Sequence, residues 1–166
     1  MIMNKCMIFT AAVLLCGGCF FSRGTALKVA RYQAEFSSTS QPDPRFRVGA
    51  VSNISGAGKE FLVSGKNSEV RTLAGRCWLN SPEVMLKSAL LLNFPGGRDA
   101  AALSAQIVRF DFDAELKNLE AVIIFSVRSD RNIVCVEKVA VENENYGKAA
   151  AQVFENAIQK FVKTVK

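Results

Sequence analysis

The sequence predicts an α+β fold, a single two-layer sandwich of one largely antiparallel sheet with two helices packed on one face. Three observations point there. Ala150, Phe154, Ala157, Ile158, Phe161 and Val165 recur at three- and four-residue steps, the spacing of an amphipathic helix. Asn80-Ser81-Pro82-Glu83 opens a second, leucine-rich helical segment. The remaining apolar residues fall in strand-length runs between polar turns, some alternating with polar residues and some apolar on both faces.

The chain divides into three segments: 1–18, 19–30 and 31–166. Lys5 precedes an apolar run from Met7 that closes at Leu15-Cys16-Gly17-Gly18-Cys19. That run is shorter than the roughly 20 residues a membrane span needs and suits a signal-peptide core of about 7–15. Small residues followed by a cysteine form the layout of a lipoprotein signal, although Cys16 stands where leucine is usual. Cleavage before Cys19 would leave its thiol as the lipid attachment site. Acylation of Cys19 predicts membrane attachment without a spanning helix, in a compartment outside the cytoplasm. Stable attachment needs more than one acyl chain, since one holds only marginally at about 0.8 kcal/mol per methylene. Residues 19–30 lack a clear period and read as a tether.

Residues 31–166 read as one domain. Tyr32, Ala34 and Phe36 alternate with Arg31, Gln33 and Glu35, which predicts a strand, and Gln41-Pro42-Asp43-Pro44 belongs to a loop. Phe46 to Asn53 forms a second strand, ended by the turn residues Ser55-Gly56-Ala57-Gly58. Phe61-Leu62-Val63 and Val70 to Ala74 pair as a hairpin around Gly65-Lys66-Asn67. In the helix that follows, Asn80 serves as cap, Pro82 suits the first turn because it has no N–H to satisfy, and Phe94-Pro95-Gly96-Gly97 stops it. Leu103, Ala105 and Ile107 alternate, then the phase switches to Val108, Phe110 and Phe112, which predicts a β-bulge near Ile107. Ala121 to Val127 and Ile133 to Val141, apolar on both faces over much of their length as central strands are, complete an antiparallel meander through short polar turns. Asn145 caps the final helix, whose apolar stripe belongs on the sheet.

The formal net charge is +6, with Lys160, Lys163 and Lys166 complementing the dipole at the last helix end. Arg23, Lys28 and Arg31 lie near the anchor and can meet anionic head groups at about 1 kcal/mol each. No basic patch interleaved with aromatics occurs, so no nucleic-acid partner is expected.

The chemistry of an enzyme is missing. The chain has no histidine, which removes the commonest general base and zinc ligand and every Ser-His-Asp arrangement. Asp111 and Asp113 alternate with Phe110 and Phe112, the pattern of a half-solvated strand rather than a catalytic pair. Gly58-Lys59 suggests a phosphate loop, but Asn53 and Glu60 stand where glycine and Ser/Thr are needed. Cys77 has no evident activating partner. No catalytic residue, metal ligand or cofactor is assigned. Cys77 and Cys135 are either a disulfide, worth roughly 2–4 kcal/mol in an oxidising compartment, or two small buried apolar residues in neighbouring strands.

The order of elements, together with the run Arg76-Cys77-Trp78-Leu79-Asn80-Ser81-Pro82-Glu83-Val84-Met85-Leu86, resembles the ABC-type transport auxiliary lipoproteins, the group that includes paraquat-inducible protein C. The resemblance spans Arg31 to Val165. Trp78, Pro82, Met85 and Leu86 fit the family's pattern, while Cys77 and Asn80 stand where Arg and Glu are frequent. The segment from Phe94 to Ala102 is also short, since relatives often place another strand there. The resemblance implies a non-enzymatic lipoprotein subunit of an Mce-type ABC lipid-transport system. Anchored to the outer membrane by Cys19 and facing the periplasm, it would tether the periplasmic components through an Mce-domain protein. Trp78 reads as a core anchor between the first helix and the sheet. The alternative is an outer-membrane lipoprotein assisting lipopolysaccharide or envelope assembly. A lipid carrier would need an apolar cavity that the filled strand patterns do not advertise. A homo-oligomer stays open.

Overall fold

A computed structural model describes residues 28–37, 42–65, 69–128 and 130–165; the signal segment and Cys19 lie outside the described residues. Among the described residues seven strands and two helices follow in the order β1 (Ala30–Tyr32), β2 (Phe46–Asn53), β3 (Glu60–Ser64), β4 (Val70–Trp78), α1 (Pro82–Asn93), β5 (Ala101–Asp113), β6 (Asn118–Val127), β7 (Arg131–Ala140) and α2 (Tyr146–Thr164). The sheet runs β1-β4-β3-β5-β6-β7, and β2 also pairs with β5. The expected α+β class is the observed one.

The two longest ladders, β5–β6 and β6–β7, form the antiparallel meander. The predicted bulge is present, as the β5–β6 register shifts between Ile107 and Arg109 and leaves Val108 turned out to solvent. The rest of the sheet is more mixed than the alternation suggests, with β1–β4, β2–β5 and β3–β5 all parallel. The reason is local. β2 lies along the first half of β5, then β3 meets its last residues, so the two are successive segments of one line. Asn53 creates the interruption. Its Oδ1 accepts from the Ser55 N–H (3.0 Å) and hydroxyl (2.7 Å), and its amide donates to the Ala57 carbonyl and to Glu83 Oε2. Gly56 turns there at φ +79°, a conformation that L side chains rarely adopt.

The first strand is shorter than its alternating pattern. Tyr32 is opposite Trp78, where β4 ends, and the pairing closes with the Leu79 N–H on the Tyr32 carbonyl. Ala34 is still buried, and Phe36 packs near Phe154, so the alternation reflects packing without a ladder.

The N-cap of α1 is Ser81, not Asn80, with Pro82 in the first turn as expected. Ser81 makes no side-chain cap bond; its hydroxyl donates to Glu83 instead. Burial pushes the Glu83 carboxyl up, but hydrogen bonds from Ser81, from its own N–H and from Asn53 outweigh this and hold it below its usual range. Helix α2 is capped by Asn145, whose side chain accepts from the Lys148 N–H. Its stripe of Ala150, Phe154, Ala157, Ile158 and Phe161 is buried, as the periodicity predicts.

The core is aromatic. Trp78, 2% exposed, stacks on Phe61 at 5.2 Å, and Phe110 stacks on Phe154 at 5.2 Å. Gly147 allows the start of α2 to press against the chain after β1, where an added Cβ would overlap the Gln33 carbonyl. Gly147→Ala is therefore expected to cost about 1–3 kcal/mol, read as a lowered urea midpoint, because a backbone atom must move.

The disulfide is not formed. Cys77 and Cys135 are both free. They sit on β4 and β7, four strand steps apart or roughly 19 Å, well beyond the ~7 Å limit for a bridge. Nor are they on neighbouring strands. Cys135 is a fully buried apolar group whose thiol is pushed up by burial, and Cys77 is half-buried.

Candidate functional site

Alternation along the meander divides its side chains between two faces. Leu119, Ala121, Ile123 and Phe125 of β6 are buried beneath the helices. Val122 and Ile124 point the other way, opposite Val136 and Val134 of β7. Among the described residues no helix covers that second face. β7 is an edge strand, not the central one its two-sided apolar pattern predicts; Val134 remains 57% exposed and Val136 44% exposed, so the second apolar face forms a strip along that side of the sheet.

Beside the strip lies a group of charges. Arg109 donates from Nε and Nη2 to the Asp111 carboxylate, and Nη1 lies 3.3 Å from Glu120 Oε2. Lys138 Nζ reaches the same Glu120 oxygen at 3.3 Å. The Asp111 and Glu120 side chains are 2% and 8% exposed, whereas Arg109 and Lys138 keep 40% and 50% of theirs in solvent. Two carboxylates are thus held beneath two cations.

This corrects the expectation for Asp111, which is buried in an ion pair rather than half-solvated. Asp113 has a separate task. Its Oδ1 accepts from the N–H groups of Leu116 and Glu115, the first of these being the main influence holding its carboxyl below the usual range. The two aspartates are not assembled as an acid–base pair. The charge cluster was hard to find in the sequence because its members come from three strands. Charges inside otherwise apolar runs, Glu120 and Lys138, were the available signal, and the β6–β7 register places them opposite each other.

The other edge of the sheet receives the chain coming from Cys19. Tyr32 on β1 packs among Tyr146 (4.9 Å), Phe61 (5.7 Å) and Trp78 (6.1 Å), and its carbonyl accepts from the Leu79 N–H. Arg76 lies over the Tyr146 ring, donates to its hydroxyl at 2.7 Å and pairs with Glu144. Lys28 and Arg31, the cations expected near head groups, are exposed there. Trp78 is a core residue, and Asn80 stands outside α1 at its start. No cluster of three or more His, Cys, Asp or Glu residues suited to a metal occurs among the described residues.

The fold defines the class, a small α+β domain with a mixed seven-stranded sheet backed by two helices and, among the described residues, one sheet face without a helix on it. No family model matches the chain. No curated protein matches it either. Solved structures do. An uncharacterized protein superposes with a TM-score of 0.65 at 10% identity, covering 84% of this chain and 99% of its own. Protein XCC0632 from Xanthomonas campestris, which carries the family-model label DUF330, has a TM-score of 0.50 at 17% identity, covering 82% of this chain and 92% of its own. At these identities the likeness is one of fold.

Proposed function

We propose that the chain is a non-enzymatic, membrane-anchored lipoprotein subunit of an Mce-type ABC lipid-transport system, tethering the periplasmic components to the outer membrane. The observation that carries this reading is the separation of its two working ends. The lipoprotein signal supplies an anchor that enters at β1, and the bare apolar strip lies at the β6–β7 edge, about 24 Å away across five strand steps. The tether from Cys19 to Lys28 can extend at most about 30 Å, which keeps the domain close to the membrane that holds the lipid. The likeness in order of elements to the auxiliary lipoproteins adds the partner, an Mce-domain protein. In this reading it docks on Val134 and Val136, where burial of each valine is worth roughly 1.5–2 kcal/mol.

Pull-down of the native protein in mild detergent is expected to recover an Mce-type protein. The double variant Val134→Lys, Val136→Lys should lose most of that capture, by tenfold or more, while its urea midpoint stays near wild type because both positions are exposed. Recovery of an outer-membrane barrel in place of an Mce-domain protein would overturn the transport reading in favour of envelope assembly.

A further inference from the structure

At the end of the sheet where β2, β5 and β7 begin and β6 stops, the surface opens into a cleft of about 600 Å³. That volume falls within the range of small-molecule sites, about 300–1,000 Å³. Its lining combines buried or half-buried apolar residues, Phe46, Ala101 and Val127, with exposed charged ones, Asp99, Arg128, Asp130 and Arg131.

Among the described residues most of these charges lack a partner. Arg45, which also lines the cleft, is forked onto Asp43 and lies over the Phe46 ring. Arg131 makes one long contact, 3.4 Å from Nη2 to the Thr164 carbonyl. Among the described residues the side chains of Arg128, Asp99 and Asp130 make no hydrogen bond or ion pair.

Arg128 carries a second mark. It sits at φ +51°, in the left-handed region that costs a residue with a Cβ roughly 1–2 kcal/mol. The turn is held by the Arg128 N–H on the Ala102 carbonyl and the Asp130 N–H on the Val127 carbonyl. Glycine would satisfy that turn without strain. An arginine there adds an exposed cation to the lining of the cleft.

We propose that this cleft binds the head of a zwitterionic phosphate amphiphile of the phosphoethanolamine type. Arg128 and Arg131 supply forked donors for the phosphate. Asp99 and Asp130 supply acceptors for the ammonium. Phe46, Ala101 and Val127 lie beneath the first methylenes of the attached chains. A simple anion would be opposed by the two carboxylates, and a purely apolar ligand would leave four charges facing it. The inference goes beyond the tethering role and does not depend on it.

The test is a titration of the isotope-labelled full-length protein in a non-ionic detergent, following the amide resonances of Ala101, Val127, Arg128 and Arg131. Dihexanoyl phosphatidylethanolamine is expected to shift these amides saturably. Glycerophosphoethanolamine, which lacks the chains, should bind at least tenfold more weakly, and inorganic phosphate weaker still. Arg128→Gly removes the guanidinium while relieving the left-handed strain, so the fold is kept and lipid affinity should fall about tenfold or more. Asp99→Asn with Asp130→Asn should erase the preference for ethanolamine over glycerol head groups. Absence of a shift with the short-chain lipid overturns the proposal. So does unchanged affinity in Arg128→Gly, or phosphate binding as tightly as the lipid, which would mark a plain anion site. Each of these failures would leave the Mce-domain capture experiment unaffected.

Discussion

Cys19→Ala is expected to move the protein from the membrane fraction to the soluble fraction nearly completely. The expectation follows from the energetics of attachment. Each buried methylene contributes about 0.8 kcal/mol, so the several acyl chains proposed for Cys19 would hold a domain that otherwise has little to embed. No helix among the described residues is long and apolar enough to cross a membrane. The cations Lys28 and Arg31 beside β1 are too few to replace acyl chains, at about 1 kcal/mol each near an anionic surface. Fractionation after osmotic release, with mass spectrometry of the amino-terminal residue, reads the result. A variant that still sediments with membranes would refute the anchor, and the tether with it.

The second large effect is on stability. Trp78→Ala should destabilise the domain by about 3–5 kcal/mol, a large part of what a domain this size possesses. Trp78 is stacked on Phe61, tilted against Phe110 at 5.3 Å and edge-on to Tyr32, so its removal opens a void where β1, β3, β4 and β5 meet. The urea midpoint should fall with little change in slope. The measurement also separates two roles for this residue. A variant that kept its stability and lost only its partner would make Trp78 a contact residue. A variant that lost stability, as expected, makes it the support on which the anchor edge rests.

Much of the fold was legible because the patterns that encode it are short. Helix α2 was readable from its 3.6-residue stripe and Asn145, and both are used as expected. The bulge was readable from a one-residue phase switch, since adding a residue to one strand reverses which side chains face inward. The hairpin of β3 and β4 and the meander of β5 to β7 join elements adjacent in sequence, so short connections dictated antiparallel pairing.

The rest depended on contacts between distant residues. The parallel placement of β1 on β4 joins positions more than forty residues apart, and nothing in either segment names the other. The same holds for the Arg109, Asp111, Glu120 and Lys138 cluster, and for the cleft shared by the ends of four strands. Asp111 illustrates the difference. Alternation assigned it to the outward face correctly, but its burial there rests on Arg109 of its own strand, a guanidinium that Glu120 of the neighbouring strand also holds.

From its own residues the chain determined its two helices and its long antiparallel strands, because each is written in contiguous spacing. Tertiary structure alone decided that Cys77 and Cys135 stand apart as free thiols, which sheet face remains bare, and where unpaired charges gather. Those outcomes follow from strand order, and strand order is set by the burial of side chains that meet only when the sheet has closed over its helices.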